Sequence, residues 1–116
     1  MKSRDDIIYI RHILEAIEQI NAYIGDMDKA AFRTDRMRQD AVIRQLEIIG
    51  EATKNISADL RQAYPETPWK DMAGMRDVLI HNYFGVDIGA VWRTVTQDLA
   101  DLKQQISQIL QSSTIH

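Results

Sequence analysis

Seven bulky apolar residues near the C-terminus, Ile88, Trp92, Val95, Leu99, Leu102, Ile106 and Ile109, step by four and three without a break. That spacing averages 3.5 residues, the repeat that keeps one stripe of an α-helix turned towards its neighbours. A half-buried strand would alternate by two instead. Near the N-terminus Ile10, Ile13, Ile17, Ile20 and Ile24 repeat the same steps. Two such seams in 116 residues, with only five Gly and two Pro to make turns, point to long helices and few connections.

Local signals divide the chain between these seams. Ser3 can cap the first helix, with Asp6 three residues on as in a capping box, and Gly25 is a natural stop. Asp28 can cap a short turn through Ala31 and Phe32. A second long helix is expected from about Asp35 to Asn55, on Met37, Ala41, Val42, Leu46, Ile49, Ala52 and Ile56. Gly50 inside it costs about 1 kcal/mol against Ala and marks a place where another helix comes close. Ser57 caps a short helix that Pro65 ends, and Pro68 suits the first position of a third long helix, Trp69 to about Tyr83, closed by Gly85. Asp87 caps the last helix, and the tail 111–116 loses the pattern and is expected to fray. The expected fold is all-α: one domain over 1–116, an antiparallel bundle of four main helices with short ones between. The width of the first and last stripes predicts a homodimer interface.

Composition removes several chemistries. With no cysteine there can be no disulfide, thiolate metal site or cysteine nucleophile. The three histidines, His12, His81 and His116, show no metal-ligand spacing, so neither a catalytic metal nor another cofactor is expected. No apolar run approaches a membrane span, and the first residues do not resemble a signal peptide, which predicts a cytoplasmic protein without membrane contact. The net charge of −3 disfavours a surface that attracts nucleic acid everywhere. Yet residues 29–76 hold nine basic side chains against seven acidic ones, and six of the nine are Arg, whose planar fork grips phosphate.

Most of the useful groups crowd into one run. Arg76 is a permanent cation, Asp77 precedes His81 by one helical turn, and Asn82 and Tyr83 add an amide and a phenol. His12 reads as a rim residue beside the first stripe, and His116 is terminal. Asp77 and His81 fit either a supported catalytic imidazole or a routine pair near a helix end. Arg76 and His81 are five residues apart, about 140° around a regular helix, whereas Arg76 and Tyr83 share a face. For Arg76 and His81 to serve one phosphate, the helix must end or loosen before His81, or two subunits must share the site.

At these residues the chain resembles a known family. Arg76-Asp77-Val78-Leu79-Ile80-His81, with Tyr83, is similar to the Arg-x4-His-x-Tyr motif of HepT toxins in the HEPN ribonuclease superfamily. Ala41 to Ala52, Pro68-Trp69, His81 to Asp87 and Val91-Trp92 extend the resemblance over about residues 5–110. The resemblance implies a helical homodimer with Arg and His of both subunits on one cleft. It implies metal-independent RNA cleavage, with Arg76 and His81 catalytic and Asp77 and Asn82 in support. It also implies an MntA-like nucleotidyltransferase antitoxin as partner, which adds AMP to the motif tyrosine, here Tyr83. A non-catalytic helical subunit that binds nucleotides or docks a nucleotidyltransferase is the other reading of the same residues.

Overall fold

Isoleucines at three- and four-residue steps can be buried together only if the backbone coils as an α-helix, and they are. The computed structural model describes residues 4–81 and 87–114, with side chains for 5–75 and 87–112. Helix α1 spans Arg4–Ile24, and Ile10, Ile13, Ile17 and Ile20 are at most 1% exposed. Gly25 ends it with a φ of +52°, a left-handed conformation that glycine adopts without a Cβ penalty. The short α2 (Lys29–Thr34) follows, with Asp28 as its N-cap, and then α3 (Arg36–Lys54) between the caps Asp35 and Asn55.

Two ties set the direction of α1 against α3. Asp6, 3% exposed near the start of α1, accepts from the Ser57 N–H at 2.9 Å and the Ser57 hydroxyl at 2.6 Å, just past the end of α3. At the other end, Arg38 in the first turn of α3 donates to the Tyr23 carbonyl at 3.0 Å. The start of one helix therefore meets the end of the other, and the pair is antiparallel. Asp6 thus has a role beyond the expected capping box; Ser3 lies outside the described residues. Ser57 also caps α4 (Ala58–Ala63), where its hydroxyl oxygen accepts from the Leu60 N–H at 3.2 Å.

Helix α5 (Trp69–His81) packs against α3, and the C-terminal run packs against α1. Helix α5 starts at Trp69, as expected, and the Pro68 carbonyl accepts from Met72, so Pro68 caps the helix and does not occupy its first position. Gly50 is buried within α3. Met37 departs from the expected apolar face: it is 84% exposed, because the stripe of α3 begins only at Val42.

The last seam is helical throughout but not regular. It comprises α6 (Ile88–Arg93), a π-helical turn at Thr94–Asp98 and α7 (Leu99–Thr114), which continues past Gln111, where fraying is expected. The Leu99 N–H donates to the Thr94 carbonyl, five residues back. Before this turn the buried apolar side chain is that of Val91, one residue off the four-three series. From Val95 within it onwards, Val95, Leu99, Leu102, Ile106 and Ile109 return to the series and are at most 6% exposed. The wider turn re-phases the stripe and leaves Trp92 half-buried against Phe32, with ring centroids 5.3 Å apart. Both seams are thus consumed inside one chain, and their width carries no argument for a dimer. Among the described residues the exposed large apolar side chains are Ile8 and Met37.

Asp6→Ala strands two donors of Ser57 in a largely buried position. It should lower unfolding stability by about 1–3 kcal/mol in a denaturant titration. A loss below half a kcal/mol would mean that water replaces the carboxylate.

Candidate active site

The motif helix is held at its first turn. The Trp69 indole N–H donates to the Tyr64 carbonyl at 2.9 Å, Trp69 is 7% exposed, and Met72 is fully buried. Arg61 of α4 donates to the Thr53 carbonyl at the end of α3, so α4 sits at that end of the bundle. A helix that starts there and packs along α3 must run back towards the N-terminal end of α3. The 13 residues of α5 carry it about 20 Å in that direction.

Arg76, Asp77 and His81 all stand on this one helix. Its backbone stays α-helical to His81, so the first of the two arrangements expected from the sequence, a helix that ends before His81, does not occur. Position 76 lies in the register strip of Trp69 and Met72, while positions 77 and 81 fall one turn apart on another strip. The side chains of Arg76, Asp77 and His81 lie outside the described residues, as do Asn82 and Tyr83 entirely.

The surroundings of that end are well defined. Phe32, fully buried, joins α2 to α6 through its contact with Trp92. Gln39 joins α2 to α3: its amide donates to the carbonyls of Phe32 at 2.8 Å and Arg33 at 3.0 Å. Asp87, the first described residue after the motif, caps α6 through the Ala90 N–H at 3.1 Å. The Arg33 guanidinium lies beside it, with Nη2 3.6 Å from the point a Cβ on Gly89 would occupy. Sequence reasoning passed over Arg33 as one of several basic residues, although Asp28 and Phe32 already marked the turn that carries it.

His12 is exposed on α1 and makes an edge-on contact with the Tyr9 ring, centroids 6.1 Å apart, as expected of a rim residue. Among the described residues no cluster of three His, Cys, Asp or Glu side chains could hold a metal ion. None of the described helices is long and apolar enough to cross a membrane.

Comparison with known proteins places the chain in a family. A family model described as "Ribonuclease HepT-like" matches residues 13–109, a span that includes the whole of α5 and the motif. A Thermococcus cleftensis protein named "Probable ribonuclease HepT" is 48% identical over 101 residues, covering 87% of this chain and 92% of its own. A Methanocaldococcus jannaschii protein named as a gamma-glutamylcyclotransferase and candidate RNase is 48% identical over 108 residues. The chain spans about half of that longer relative, 49% of its length, with 93% of itself matched. A candidate RNase of Caldanaerobacter subterraneus is 40% identical over 103 residues, 89% of this chain and 92% of its own. No solved structure matches the chain. With most of its length matched by the family model and by relatives of nearly equal size, the chain belongs to the HepT-like ribonuclease family.

Proposed function

We infer that the chain is a metal-independent endoribonuclease, the toxin of a toxin–antitoxin pair, with Arg76 and His81 as its catalytic residues. The observation that carries this reading is a HepT-like family match that contains the Arg76-to-Tyr83 run on and just beyond α5. RNA brings its own nucleophile, the 2′-hydroxyl. The protein has only to move protons and offset charge. His81 takes or returns the proton, a role worth roughly 10²–10⁴-fold. Arg76 offsets the charge that gathers on the phosphate oxygens as the pentavalent state forms. Asp77, one turn before His81, serves to orient the imidazole, with Asn82 as an additional polar support. The products carry a 2′,3′-cyclic phosphate or its hydrolysed form, and DNA, which lacks the 2′-hydroxyl, is not cut.

The continuity of α5 favours a site shared between two copies. Five positions on a regular helix separate Arg76 from His81 by about 140°. Arg76 of one subunit with His81 of the partner subunit satisfies both, and a two-fold axis makes two such sites.

Tyr83 is the point of control. A phenol is a poor proton carrier at neutral pH, with a reference pKa of about 10. It is a competent acceptor for a nucleotidyl group once a partner enzyme removes its proton. Its oxygen attacks the α-phosphorus of ATP, pyrophosphate leaves, and AMP stays on Tyr83. The added charge and bulk two residues from His81 repel and block RNA phosphate.

Three results test this reading. Purified protein should cleave RNA in EDTA, and Arg76→Ala and His81→Ala should each lose at least about 100-fold while still melting cooperatively. Cleavage by His81→Ala at the wild-type rate would remove the enzymatic role of the histidine. Mixing inactive Arg76→Ala with inactive His81→Ala should restore about a quarter of wild-type activity, since half of the dimers are mixed and one of their two sites is intact. No recovery, with subunit exchange verified, would return both residues to one chain. For control, co-expression with the neighbouring nucleotidyltransferase should add AMP mass to the Tyr83 peptide. Tyr83→Phe should stay toxic under the same conditions. Full neutralisation of Tyr83→Phe would show inhibition by binding alone.

A further inference from the structure

Apart from Arg76, the ribonuclease reading gives the arginines of residues 29–76 no part in holding RNA. Two of them stand at the end of the bundle towards which α5 runs. Arg33 lies against Gly89 and Asp87, at the point where the chain emerges from the motif segment. Glycine leaves the space over which the guanidinium lies. Arg36 opens α3 three residues later, within about 11 Å along the chain, and its side chain is 89% exposed. Between them, Asp35 spends one oxygen on the Arg38 N–H at 3.0 Å, and its other faces Arg38 Nε at 3.7 Å. Asp28 and Asp87 likewise cap α2 and α6, through Ala31 and Ala90. Asp87, whose Oδ1 lies 3.2 Å from the point a Cβ on Gly89 would occupy, serves as the cap of α6, and Arg33 forms no ion pair among the described residues. Among the described residues Arg36 pairs with Asp40 at 4.0 Å, an exposed pair of little strength. Met37, 84% exposed beside them, offers a flexible apolar side chain where none is needed for the core.

We propose that Arg33 and Arg36, with Met37, form a binding strip for the single-stranded RNA that flanks the scissile phosphate. This proposal rests on the ribonuclease reading for its choice of ligand. Each guanidinium takes one backbone phosphate through its fork, and the Met37 thioether lies against a base. The strip carries no sequence code, since phosphate contacts hold register without reading bases.

Binding is measured with the full-length wild-type protein and a short labelled 2′-O-methyl RNA, which lacks the attacking hydroxyl and stays intact. Arg33→Ala and Arg36→Ala should each weaken binding roughly tenfold at low salt. The slope of log K against log salt should become shallower by about 0.7 for each, and by about twice that in the double variant. Arg33→Lys should keep the slope and lose part of the affinity. Arg11→Ala, which removes an exposed charge from the first half of α1, should match wild type in both readings. Thermal melts of all variants should coincide, since these side chains are exposed. Unchanged affinity and slope in the double variant would overturn the strip, as would a wild-type protein that does not bind the RNA. So would a double variant that binds RNA normally but no longer binds the neighbouring nucleotidyltransferase. A wild-type protein that binds RNA through these arginines but cleaves none in EDTA would instead count against the ribonuclease reading and leave the strip standing.

Discussion

The antiparallel pairing of α1 and α3 is the constraint on which the other elements depend. It is written in two places: the Asp6 carboxylate on Ser57, and Arg38 on the Tyr23 carbonyl. Between these ends the isoleucines of α1 meet Val42, Leu46 and Ile49, and burial of each such side chain contributes about 1.5–3 kcal/mol. A buried carboxylate is costly unless its oxygens are satisfied, and here both receive donors from one residue. That residue is also the cap of α4, so the same contact that orients α1 also shapes the turn that leads to α5. Direction, connection and the start of the motif helix are therefore linked through Ser57.

A second consequence runs through the π-helical turn. An uninterrupted α-helix would have kept Trp92 on the same stripe as Leu99 and Leu102. The widened turn at Thr94–Asp98 lets Val91 enter the core and leaves Trp92 to pack on Phe32. Thr94 and Thr96 donate their hydroxyls to the carbonyls of Ala90 at 3.0 Å and Trp92 at 2.7 Å, one turn back along the helix. Through the Phe32 contact the irregularity fixes α2, and with it Arg33, at the end of the bundle where the motif segment returns. A local departure from ideal helix geometry thus helps decide which charges surround the site.

Function follows from placement more than from unusual chemistry. Arg, His and Tyr are ordinary side chains, and α5 is an ordinary helix of 13 residues. What makes the combination useful is that α5 is anchored at Trp69 and unbroken to His81. That continuity separates positions 76 and 81 by about 140° around the helix, which is what motivates the proposed site shared between two copies.

Much of this was legible in the amino-acid sequence because the forces involved are local. Four-three spacing dictates helices, and Asp28, Asp35, Ser57 and Asp87 each cap the helix that follows, since a short polar side chain beside free N–H groups acts within three residues. The Arg76-to-Tyr83 run and the family it belongs to were readable for the same reason: the motif is contiguous. Long-range choices were not. Asp6 and Ser57 are 51 residues apart, and no periodicity connects them. The sequence made Met37 part of an apolar face, but tertiary packing left it in solvent because the buried apolar stripe of α3 begins only at Val42. The last seam looked continuous because a pattern of residues does not record which carbonyl each N–H selects. Its π turn, and the position of Arg33 beside Gly89, were decided only when the helices packed, where close contact between distant segments overrides local preference.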